Sequence, residues 1–118
     1  MDILKYKSKT KEIVITPMIE FIEEWGAEGY TKEDVQACEN LMHRYLDSLG
    51  AMSNPTNDDI MEQVKELVLA LNELNEATDY SLIETEAREA IWEVIQTSAV
   101  DCGLQDAPED VTEEWRDW

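Results

Sequence analysis

From residue 18 onward, apolar side chains return every three or four positions and polar ones fill the gaps, the pattern of helices that each bury one face. The clearest run is Ile60, Val64, Leu67, Leu71, Leu74 and Thr78, spaced 4-3-4-3-4 and widened by Met61 and Val68. A stripe that broad exceeds the narrow seam of a two-stranded coiled coil and predicts packing inside a bundle. Before it, Val35, Cys38, Met42, Tyr45 and Leu49 recur at the same steps, flanked by Leu41 and Leu46, and Gly50 ends the run. After it, Ala87, Ile91, Val94, Ile95, Ser98 and Cys102 mark the inward face of another helix, closed by Gly103. A shorter helix places Met18, Ile19, Ile22 and Trp25 inward and Glu20, Glu23 and Glu24 outward, and the glycines at 26 and 29 stop it.

The boundaries carry their own signals. Thr16-Pro17 reads as an N-cap followed by proline at the first helical position, and Thr31-Lys32-Glu33-Asp34 as a cap with an acid at the third. Thr85 is positioned to cap the last long helix. Ser53-Asn54-Pro55-Thr56-Asn57 and residues 79–84 are turns. Asn75 falls on the shoulder of its stripe, where its amide can tie the following turn, around Ser81 to Ile83, into the bundle, and Arg88 can pair with Glu84 one turn back. The tail, residues 110–118, predicts a short C-terminal helix opened by Thr112. Residues 1–15 differ: basic and polar positions alternate and Ile13-Val14-Ile15 is β-branched, which predicts an irregular arm or a short strand. The expectation is one all-α domain over 1–118, an antiparallel bundle of about four helices plus that short C-terminal helix, with 1–15 as a basic N-terminal arm.

Charge changes the picture. The chain has 28 Asp and Glu against 9 Lys and Arg, a formal net charge of -19, laid over an ordinary 43% hydrophobic content. Four of the cations, Lys5, Lys7, Lys9 and Lys11, crowd into the arm, so residues 12–118 carry 27 acids against five cations, a net of -22. Such a surface repels phosphate backbones and anionic headgroups, which argues against direct nucleic-acid or membrane binding; it would attract a basic partner, or else serves only to keep the protein soluble. Two cysteines, Cys38 and Cys102, are too few for a disulfide framework and are expected as small core side chains. With no signal-like apolar run after Met1, the expected compartment is the cytoplasm.

Candidate chemistry is sparse. His43 is the only histidine and lacks a partner at metal-ligand spacing, no glycine-rich phosphate loop or nucleophile elbow is present, and abundant carboxylates at helical spacing read as solvated faces. The expectation is therefore a non-enzyme with no cofactor, no metal and no catalytic residue. Trp115 and Trp118 share one helical face in an acidic tail; they either dock on the bundle or, with Glu73 and Glu76, anchor a partner.

Leu71-Asn72-Glu73-Leu74-Asn75-Glu76, Leu82-Ile83-Glu84-Thr85, Arg88-Glu89 and the ending from Asp110 to Trp118 together resemble small acidic bacterial proteins of an uncharacterised family. The resemblance covers mainly the C-terminal half and implies a bacterial, cytoplasmic origin. It transfers no functional residue. The leading expectation is a protein-binding module of the immunity or inhibitor kind that meets a basic protein through its acidic helical surface. The alternatives are a structural or regulatory homodimer, using either the heptad-spaced helix from Ile60 to Thr78 or the Lys-rich arm against a neighbour's acidic face, and a DNA-mimic inhibitor.

Overall fold

A computed structural model describes residues 1–118, and every regular element in it is helical. In chain order these are α1 (Ile3–Thr10), a π-helical turn (Lys11–Ile15), α2 (Thr16–Trp25), α3 (Lys32–Gly50), α4 (Asn57–Ala77) and α5 (Thr85–Asp101). The first three run on without interruption, so the chain builds four rods. No helix is long and apolar enough to cross a membrane.

The rods alternate in direction. The start of α1 meets the end of α3, where a Cβ on residue 50 would overlap the tip of the Ile3 side chain and push it aside. Tyr6 at the same end reaches the end of α5, its hydroxyl donating to Asp101 Oδ2 at 2.9 Å. Asn57 at the start of α4 exchanges hydrogen bonds with the Gln105 backbone just beyond α5, both at 2.9 Å. The first rod and α4 each pack on α3 and α5 and occupy opposite corners. Tyr45 spans the middle from α3 to α5, where its phenol sits 2.9 Å from Ser98 Oγ and donates to the Ile95 carbonyl at 3.2 Å.

The expected apolar faces are the buried ones. Val35, Cys38, Met42, Tyr45, Leu46 and Leu49 from α3, Ile60, Val64, Leu67, Val68 and Leu71 from α4, and Ile91, Val94, Ile95 and Ala99 from α5 share one core. Thr31 caps α3 as its sequence suggested, in a reciprocal pair with Asp34, and Thr56 with Asp59 repeats the device on α4.

The N-terminal expectation is corrected. Residues 1–15 form neither an irregular arm nor a strand, since Tyr6, Thr10, Val14 and Ile15 are all buried on the helical rod. Burial against α3 and α5 overrides the β-branched preference of Ile13-Val14-Ile15. The buried positions 6, 10, 14, 18 and 22 are four apart, and in an α-helix each such step drifts by roughly 40°. The π turn, wider per revolution, takes that drift back and keeps the stripe on the core. Thr16 consequently lies inside a continuous helix and caps nothing. At α5 the cap position belongs to Glu84, and Thr85 is the first helical residue. The tail makes turns over residues 111–115 in place of the expected helix.

Candidate protein-binding surface

The lysines of the first rod face the bundle's own acids. Lys7 pairs with Asp47 at 2.8 Å, Lys9 with Glu93 at 3.6 Å and Lys11 with Glu39 at 3.7 Å, linking the rod to α3 and α5. Lys5 lies over the Tyr6 ring. These cations act within the chain, so an arm free to reach a neighbour, one of the two surfaces the dimer expectation offered, is not what the fold provides. Glu39 is the exception to the expectation of solvated carboxylates, being 8% exposed, with Gln36 Nε2 donating to one oxygen and Lys11 paired with the other. His43, one turn on, stands 4.0 Å from the same carboxylate.

The tail docks. Asn72 on α4 grips it twice, Nδ2 donating to the Trp115 carbonyl at 2.8 Å while Oδ1 accepts from the Asp117 amide at 3.0 Å. Gln96 on α5 does the same farther up, donating to the Pro108 carbonyl and accepting from the Val111 amide. Arg116 closes the loop on Asp110 at 2.7 Å and also donates to Thr112 Oγ1 and the Trp118 carbonyl. Partial desolvation pushes the Asp110 carboxyl up, but hydrogen bonds from Thr112 and Arg116 and the guanidinium charge outweigh it and hold the group below its ordinary value. Trp115 and Trp118 are half-buried against the core. Glu73 and Glu76 stay exposed beside the Asn72 clamp. Glu76 is the main influence raising the phenol of exposed Tyr80, with desolvation, Asp117 and Asp79 behind it, so acids from α4 and the tail do converge there. The four expected residues thus share a neighbourhood, but its indoles are spent on holding the tail.

An exposed aromatic pair lies elsewhere. Trp25 is 66% exposed and Phe21 47%, although the spacing placed Trp25 inward. With Pro17 they form an i, i+4, i+8 stripe on α2, and Phe21 stacks on Tyr30 with ring centroids 5.8 Å apart. Beside the stripe runs a groove of about 480 Å³ lined by Pro17, Met18, Phe21, Tyr30, Leu82 and Ala87, with Glu84 and Glu86 on the far wall. Burial, and after it the charge of Glu84, raises the Tyr30 phenol. Gly26, at φ +84°, ends α2 in a conformation that L side chains rarely adopt and turns the chain away, leaving the stripe uncovered. Residues 12–31 hold five acids and no cation, and no Lys or Arg lines the groove.

No family model, curated protein or solved structure matches the chain. Geometry and charge therefore carry the functional reading. No three His, Cys, Asp or Glu side chains converge in a way that could hold a metal ion. Cys38 is fully buried and its thiol is pushed up to about 12 by burial and then by Glu39, far from a reactive thiolate. A wider cavity of about 600 Å³ between α5 and the tail is lined by Trp92, Arg88, Glu89 and the Asp110–Arg116 pair. Arg88 forms no ion pair with Glu84 there, contrary to expectation: its backbone amide bonds the Glu84 carbonyl and its side chain lines the cavity.

Proposed function

We propose that the protein is a non-enzymatic binding module, of the inhibitor or immunity kind, that captures a basic protein through its acidic helical surface. The observation that supports this most directly is the partition of charge. Three of the four N-terminal lysines pair with Asp47, Glu93 and Glu39 inside the chain, whereas Glu20, Glu24, Glu84 and Glu86 around the α2 stripe are engaged in no ion pair and no Lys or Arg lines the groove. Negative potential of that kind accelerates encounter with a positively charged protein, and uncovered aromatics supply the short-range contact that holds it. A bacterial cytosol is the setting this reading supposes.

The test is stopped-flow association with a panel of small basic nuclease domains across a salt series. Association should be saturable, should slow at least about ten-fold between low and roughly 0.3 M salt, and should silence the bound nuclease. Association rates indifferent to salt, or no saturable binding by any member of the panel, would overturn the proposal.

A further inference from the structure

We infer that the groove between α2 and the start of α5 is the docking seat for an amphipathic helix of the partner, one that carries an apolar ridge between two rows of Lys or Arg. This rests on the reading of the protein as a binder of basic proteins and names where and how it would bind.

The seat has three parts. Its apolar floor runs from Pro17 and Phe21 on α2 to Tyr30, Leu82 and Ala87, with Ser81 and Thr85 among them, and exposed Trp25 extends the α2 side one turn beyond Phe21. Glu20 and Glu24, both exposed, follow the stripe on its solvent side at the same four-residue spacing. Glu84 and Glu86 stand across the groove, at the cap and second residue of α5. An apolar strip between two carboxylate rows is the complement of a helix whose i, i+3, i+4, i+7 ridge is apolar and whose shoulders are cationic. Phe21 needs no rearrangement, because stacking on Tyr30 already fixes its ring, and Trp25 offers the larger uncovered surface.

Charge decides against the other occupants. A second copy of the chain related by a twofold axis would bring Glu20, Glu24, Glu84 and Glu86 against their own kind. A head-to-tail contact would need cations at helical spacing, but Lys7, Lys9 and Lys11 pair with Asp47, Glu93 and Glu39, and Lys5, Lys32, Arg44, Lys65 and Arg88 nowhere stand three or four residues from one another. An anionic lipid surface is repelled by the same carboxylates.

The experiment measures fluorescence anisotropy of labelled helical peptides of about 18 residues with the full chain. One peptide carries a leucine ridge with lysine shoulders; one scrambles that composition; one keeps the ridge with glutamate shoulders. The first should bind, and the other two at least ten-fold more weakly. W25S and F21S should each weaken the first by about ten-fold or more, W25F should restore it, and E20Q/E24Q/E84Q/E86Q should weaken it and flatten its salt dependence. L69S, which removes an exposed apolar residue on α4, should leave it unchanged. Helical content by circular dichroism checks each variant, and Trp25 is exposed enough that W25S tests the seat even if F21S disturbs Tyr30. If W25S binds like the parent, or the scrambled peptide binds as well as the ordered one, the seat is wrong while the basic-partner reading stands. If no basic peptide or protein binds at all, both fall.

Discussion

Asn75 shows how one polar residue fixes a turn. It is 2% exposed, its Oδ1 accepts from the Ile83 amide at 2.9 Å, and its carbonyl accepts from Tyr80 N and Thr78 Oγ1. Its place on the shoulder of the α4 stripe made the tie to residues 81–83 legible in sequence, because a buried amide without a partner is too costly to keep. N75A should leave the Ile83 N–H buried and unpaired and cost about 1–3 kcal/mol in urea unfolding, more than T31A, which loses a cap worth about 1 kcal/mol. Tyr6 is a second polar anchor. Desolvation, then the hydrogen bond to Asp101 and its charge, raise the phenol from its ordinary 10.0 to about 12. The neutral form is therefore favoured in the folded state: its contribution is complete below pH 10 and is lost as pH rises through about 12. Alkaline unfolding monitored between those values should be steeper for the parent chain than for Y6F. Trp25 marks the limit of such reading. It follows Ile22 by three positions, which sets it roughly 60° away around the helix, and whether a neighbour covers that direction is not written in local spacing.

At the scale of elements, the long apolar runs gave α3, α4 and α5 almost to their ends, since a helix that packs in a bundle must repeat its buried positions. The first rod departs from the local preference of its sequence for an equally physical reason. The extended preference of three consecutive β-branched residues is worth only about 1 kcal/mol, and here the packing of Val14 and Ile15 against α3 and α5 outweighs it. The strict four-residue spacing from Tyr6 to Ile22 was the available signal, pointing to a helix that must be unwound once. Deleting exposed Glu12 should convert the π turn to α-helix, keep both halves of the rod in register and change stability by no more than about 1 kcal/mol. Deleting exposed Asn40 from the middle of α3 should instead turn all that follows by about 100° and abolish cooperative unfolding. Circular dichroism with urea titration separates the two.

For the whole molecule, a net charge of -19 on a bundle stitched by few ion pairs makes self-repulsion a global term. Raising sodium chloride from about 0.02 to 0.5 M shortens the screening length severalfold, so the melting temperature should rise across that range; a fall would show that the internal pairs of Lys7, Lys9, Lys11 and Arg116 outweigh the repulsion. The sequence by itself determined the helices of the bundle's three later rods, their buried faces and the sign of the charge, because periodicity and composition are local or additive properties of the chain. Only the tertiary structure decided which aromatics are free. Trp115 and Trp118 pack partly buried against the core while Asn72 and Gln96 clamp the backbone of the tail, and Phe21 and Trp25 are left in the open. It likewise decided that three of the four N-terminal lysines pair with acids of the same chain. Exposure and pairing depend on what a distant segment places opposite a side chain, and nothing in the spacing of residues along one helix specifies that.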